Sequence, residues 1–154
     1  MRRAGASVGA LLALSALGGC GESVVLPDLL VVQRSGGVAG AKLTILVNEG
    51  GGVRCYQGSA TSAYPANAAR LGPTRQLSDP QLVLARGITE ELQEPSAKHL
   101  SLPPRPGSVF SYYVRDAEGT VRFADNSGGQ PSVLRHLAYF VLEVQQKLCG
   151  SPSG

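Results

Sequence analysis

The chain predicts an α+β domain, an antiparallel sheet of about five short strands packed by two helices. Three observations carry this. Between residues 29 and 57, three strand-length segments rich in Val, Leu and Ile follow one another with glycine-rich turns between them. Val109–Arg115 and Thr120–Ala124 flank a four-residue turn, the pattern of a hairpin. Two other stretches, after Ser78 and after Gln130, place apolar residues at helical spacing between recognisable start and stop signals.

The first strand is expected over Leu29–Arg34, with the β-branched pair Val31 and Val32, and it ends at Ser35-Gly36-Gly37. In Lys42–Asn48 the alternation of Leu43, Ile45 and Val47 with Thr44, Leu46 and Asn48 marks a strand with one better-buried face. Glu49-Gly50-Gly51-Gly52 turns the chain into a third strand, Val53–Gln57, which carries Cys55. Short connections of this kind join antiparallel neighbours, so a meander is expected. Residues 58–77 are rich in Ser, Ala, Pro and Asn, without periodicity, and read as a surface loop.

Ser78 and Gln81 have capping-box spacing, with Asp79 and Pro80 in the first turn, where unpaired N–H groups accept an acid and tolerate proline. Leu84, Ile88 and Leu92 follow at fourfold spacing, predicting a helix to about Glu94 that Pro95 stops. Lys98–Pro106, with three prolines, reads as an extended connector. In the hairpin, Phe110, Tyr112 and Val114 share a face, which assigns Tyr112 to the core and leaves Tyr113 as an exposed aromatic at a sheet edge. Pro131 opens the last helix, whose stripe is Leu134, Leu137, Val141, Val144 and Leu148, and Gly150 and Pro152 end it.

Ahead of the domain, Met1-Arg2-Arg3 precedes the apolar run Ala10–Leu17 and then Gly18-Gly19-Cys20. A charged start, an apolar centre and small residues before a cleavage point are the parts of a secretory signal. The run is too short, and too broken by glycine, to cross a bilayer as a helix of about 20 residues. Leu17-Gly18-Gly19-Cys20 resembles the lipobox of bacterial lipoproteins, in which the cysteine receives a diacylglyceryl group and becomes the new N-terminus. The resemblance implies a signal peptide over 1–19, a lipidated Cys20 with a spacer to residue 27, one domain over 28–149 and a short tail over 150–154. It also implies a membrane-lipid anchor on the outer face of the cell membrane. Gly21 lacks the acidic residue that retains some lipoproteins at the inner membrane, so in a two-membrane cell the outer membrane is expected. Two acyl chains hold a protein where one lets it go.

With Arg2 and Arg3 removed, the 14 basic residues of the chain approach balance with its 11 acidic ones, which leaves no nucleic-acid footprint. Beyond Cys20 the cysteines are Cys55 and Cys149, expected to pair in an oxidising compartment, with two buried thiols as the alternative. No metal site and no cofactor are expected, since His99 and His136 lie far apart and no Cys-x-x-Cys occurs. Catalysis is not expected either. Ser132, His136 and Asp125 can be assembled on paper, but no nucleophile-elbow glycines surround the serine, and a helical turn between Ser132 and His136 suits a solvated face. Glu90, Glu91 and Glu94 read likewise as a charged outer face.

The run Arg34-Ser35-Gly36-Gly37-Val38-Ala39-Gly40 after the first strand, a mid-chain helix and Leu102-Pro103-Pro104 form one pattern with Phe110-Ser111-Tyr112, Val121-Arg122-Phe123-x-Asp125 and the terminal Leu-rich helix. Together they resemble the protealysin inhibitor emfourin family over about residues 29 to 148. The resemblance implies a small α+β fold and inhibition of a secreted or surface thermolysin-like metallopeptidase. Residues 58–77, the anchor and the cysteine pair depart from the inhibitory members, which keeps open a second expectation, an envelope structural or interaction lipoprotein without inhibitory activity. The candidate contact residues are Arg34, Ser35, Gly36, Gly37 and Tyr113. Against that reading, turn glycines commonly just shape a connection, and surface arginines commonly just face water.

Overall fold

A computed structural model of the chain describes residues 27–37, 40–65 and 70–150. The expected signal peptide over 1–19, the expected lipidation site Cys20, Val38 and Ala39 of the glycine-rich run, and residues 151–154 of the expected tail lie outside the described residues. Six strands and two helices run in the order β1 (Asp28–Gly36), β2 (Ala41–Asn48), β3 (Gly52–Gly58), β4 (Arg75–Gln76), α1 (Asp79–Ala97), β5 (Phe110–Arg115), β6 (Thr120–Ala124) and α2 (Ser132–Lys147). They form one sheet of order β4-β3-β2-β1-β5-β6, antiparallel throughout. The expected meander is thus joined to the expected hairpin by β5 pairing with β1, Val32 opposite Val114 and Gly36 opposite Phe110.

Strand alternation gives the sheet two unlike faces. Leu30 and Val32 of β1, Leu43, Ile45 and Val47 of β2, Val53, Tyr112 and Val114, and Val121 and Phe123 all point to one side. Both helices pack there. Burying so many branched side chains at about 25 cal/mol per Å² is the main stabilising contribution to the fold. From α2, Val133, Leu134, Leu137, Phe140, Val141 and Val144 enter this core, a wider stripe than the sequence spacing marks out, since Val133 and Phe140 join it. Tyr112 and Phe123 stack face to face, with ring centroids 4.7 Å apart.

Helix α1 starts as its sequence predicts, with the Ser78 N–H donating to Gln81 Oε1 at 3.0 Å. Its buried side is Ala85, Ile88, Leu92 and Ser96, whereas Leu84 faces solvent. Ile88 and Leu92 of the fourfold series are thus buried as expected, Ser96 continues the series, and only Leu84 gives its place to Ala85. Pro95 does not stop the helix, which continues to Ala97. In the last turn the missing proline N–H removes only one bond, and the end is then closed by a Schellman pair. The His99 N–H donates to the Ser96 carbonyl and the Leu100 N–H to that of Pro95, both at 2.9 Å, with His99 in the left-handed region at φ 51°. The same end is docked on the β5–β6 turn, where the Ser96 hydroxyl donates to Asp116 Oδ2 at 2.6 Å.

The connector after α1 is extended, as expected. The Leu102 N–H donates to the Arg122 carbonyl and the Arg122 N–H to that of Leu100, so this segment covers the outer edge of β6. At the other edge, residues 75–76 add a two-residue strand inside a stretch whose composition predicts only loop. Cys55 and Cys149 form a disulfide with Cα atoms 5.4 Å apart, tying β3 to the residues after α2. Closing a loop of 94 residues is worth about 4 to 5 kcal/mol in the chain-entropy account.

Candidate functional site

The candidate contact residues gather at the end of the sheet where β1 turns into β2, but the pleat splits them between its two faces. Gly36 is fixed by its own chain. At φ 127°, a Cβ there would sit 2.0 Å from the Val109 carbonyl oxygen, so the close approach this glycine permits is that of the segment leading into β5. Gly37 follows at φ 83°, and its N–H donates to that same Val109 oxygen at 3.0 Å. The glycines lock β1 against the start of β5 and set the direction of the turn.

Arg34 points to the helix side. Its guanidinium donates to Gln145 Oε1 of α2 at 2.7 Å and lies 4.6 Å from the centre of the Phe110 ring. It forms one rim of a groove of about 410 Å³ between α2 and the ends of β1, β5 and β6. Phe110, Tyr112 and Phe123 line the floor, and Arg135 and Asp125 complete a charged rim. On the lip, Tyr139 is 73% exposed and Leu142 44% exposed, with Val109 52% exposed beside Asp125. Asp125 holds that neighbour in place, accepting from the Val109 N–H at 3.1 Å and from the Ser108 hydroxyl at 2.8 Å. Burial pushes the Tyr112 hydroxyl upward, with Arg34 opposing in part, so the floor is neutral at physiological pH.

Tyr139 and Leu142 are the residues that sequence reasoning missed. Each lies off the Leu134–Leu137–Val141–Val144 stripe, and a large apolar side chain outside a helix's buried stripe is the signal that could have found them.

Ser35 and Tyr113 point to the opposite side. Tyr113 is half-buried and sits in an interior strand, paired with Gln33 of β1 and Arg122 of β6, which corrects its expected place as an exposed edge aromatic. The reason is topological: β5 inserts between β1 and β6, and the Arg122 guanidinium covers the ring with its carbon 5.1 Å from the centroid.

The hydrolase-like triple has other employment. The Asp125 carboxylate is taken by the 108–109 backbone and hydroxyl groups, while Ser132 and His136 lie exposed on α2. Glu90, Glu91 and Glu94 are also exposed, and Glu94 pairs with Lys98. Among the described residues no group of three or more His, Cys, Asp or Glu is placed to hold a metal ion, and no helix is long and apolar enough to cross a membrane. No protein-family model, curated protein or solved structure matches the chain.

Proposed function

We propose that the chain is a lipid-anchored binding protein of the bacterial cell envelope, tethered through Cys20, that restrains a thermolysin-like metallopeptidase with its turn-and-groove surface. The anchor and compartment rest on the resemblance of Leu17–Cys20 to a lipobox. The inhibitory role rests on the emfourin-like pattern, whose most specific part is the run from Arg34 to Gly40, at the β1–β2 connection, taken together with the final hairpin and helix. One observation supports the choice of surface: Val109, Tyr139 and Leu142 stand exposed around a groove floored by aromatic rings, at the same end as that turn. Large apolar side chains left in water beside charged rims are the usual composition of a protein-binding patch. Aromatic anchors such as Tyr139 commonly carry most of an interface's energy.

The test is a titration of the mature protein, kept in mild detergent, against thermolysin-like peptidases, with mass spectrometry of its N-terminal peptide. Stoichiometric loss of peptidase activity and a diacylated Cys20 are the expected results. A peptidase left fully active at molar excess overturns the inhibitory role, and an unmodified cysteine in cytosolic protein overturns the anchor.

A further inference from the structure

The sheet face opposite the helices is covered over only part of its width. After β3 the chain folds back across β2 and β3. Lys42 donates to the Ser62 carbonyl and lies 5.3 Å from the Tyr64 ring, while the Arg54 guanidinium holds the carbonyls of Leu71 and Gly72. Beyond that cover, over β1, β5 and β6, the described residues leave the face open as a cleft of about 540 Å³.

Its floor is a cross-strand array of Gln33, Ser35, Ser111 and Tyr113 with Arg122 beside it, walled by Tyr64 on one side and the Leu102–Pro104 segment on the other. Arg122 is exposed, and among the described residues its guanidinium has no hydrogen-bond or ion-pair partner and no carboxylate lines the cleft. Extended peptides most often bind a sheet by adding to a free edge. Here β1 and β5 are paired on both sides, and the connector bonds β6 at Arg122, so recognition falls to side chains.

We infer that this cleft binds a carboxylate-bearing saccharide. The Tyr64 ring and the faces of Pro103 and Pro104 offer flat apolar patches for the C–H faces of a sugar ring, and the amide and hydroxyls between them match its hydroxyl groups. The Arg122 fork supplies a planar partner for a carboxylate in a cleft with no acid to compete. This site is on the other side of the sheet from the turn-and-groove surface and is independent of the anchor and the peptidase.

The test uses the isotope-labelled mature protein in mild detergent and follows backbone amide shifts on addition of tetragalacturonate or a muramate-containing disaccharide. Galactotetraose, acetate and a tetraglutamate peptide are the controls. At least one acidic saccharide is expected to shift the amides of Gln33, Ser111 and Arg122. It should bind at least about tenfold more tightly than galactotetraose or acetate. Arg122→Gln should weaken that binding by about tenfold or more, with Arg122→Lys intermediate, while Tyr139→Ala on the far side binds as the parent does. Failure of both acidic saccharides to bind at millimolar concentration overturns the inference. So does equal affinity for acetate or tetraglutamate, or unchanged binding by Arg122→Gln. Peptidase inhibition is read separately, so loss of one property leaves the other standing.

Discussion

The two faces of this sheet are built from the same strands by different means. On the helix side, alternation supplies a continuous apolar surface, and two helices cover it with Ile88 and Leu92 of α1 and six buried residues of α2. On the other side the cover is irregular chain, pinned by long polar side chains such as Lys42 and Arg54, and it leaves polar groups both buried and bare. Thr44 illustrates the buried case, 4% exposed with a hydroxyl that finds no hydrogen-bond partner among the described residues. Arg122 illustrates the bare one. Stability therefore concentrates on one face, while the imperfectly satisfied groups collect on the other.

The largest test of that contrast sets one aromatic against another. Phe140→Ala, in the helix-side core, is expected to lower unfolding free energy by about 3 to 5 kcal/mol through lost transfer and a residual cavity. Tyr113→Ala, half-buried under Arg122, should cost only about 1 kcal/mol. Chemical denaturation of both variants checks this, and equal losses would erase the distinction. Gly36→Ala comes next, at about 3 kcal/mol, because its methyl group would meet the Val109 carbonyl in a backbone conformation that L residues rarely adopt. If instead the turn were a pliable contact loop, that variant would unfold at nearly the parental denaturant midpoint.

Thr44→Val runs in the opposite direction. Removing a buried, unpaired hydroxyl at nearly constant shape should raise stability by about 1 kcal/mol, seen as a higher midpoint with unchanged slope. The smallest effect is one of pH. The Glu143 carboxyl is held below the usual carboxylate range by hydrogen bonds from Lys147, one turn along α2, and from Gln81, which links α2 to α1. A lowered folded value means that this contribution is fully present above about pH 4.3, the ordinary glutamate value, and is lost as pH falls through the folded one. Glu143→Gln should therefore flatten the acid limb of the stability curve slightly, by an amount typical of exposed pairs.

How far each face was legible in the sequence follows from the same contrast. The helix-side strands announce themselves because Leu43, Ile45 and Val47 repeat every two residues, and α2 because Leu134, Leu137, Val141 and Val144 follow the helical period. Helix α1 was legible as a helix and, at Ile88 and Leu92, in its facing. Its buried residues also include Ala85 and Ser96, which hydrophobicity alone does not mark, and Ala85 takes the place expected of Leu84. Its end was misplaced because Pro95 reads as a stop, whereas the local bonds of His99 and Leu100 complete the turn.

The open face was scarcely legible at all. Residues 58–77 have no periodicity, and their course is set by contacts to Lys42 and Arg54 at sequence distances of 17 to 20 residues. The place of β5 beside β1, which makes Tyr113 an interior residue, is likewise a long-range choice. The contact residues were half legible. The glycines are correctly placed at a turn, but Arg34 and Ser35, neighbours in sequence, serve opposite faces, and Tyr139 and Leu142 were hidden by the rule that reads a helix by its stripe.

The most direct measurement compares two single variants in one peptidase titration. Tyr139→Ala alters the helix-side groove and Arg122→Gln alters the open cleft, and both residues are exposed, so neither change threatens the core. Tyr139→Ala is expected to weaken inhibition of a thermolysin-like peptidase by about tenfold or more, as loss of an aromatic anchor does, while Arg122→Gln inhibits like the parent protein. Inhibition that depends on Arg122 and is indifferent to Tyr139, or an absence of inhibition by the parent itself, would contradict that expectation.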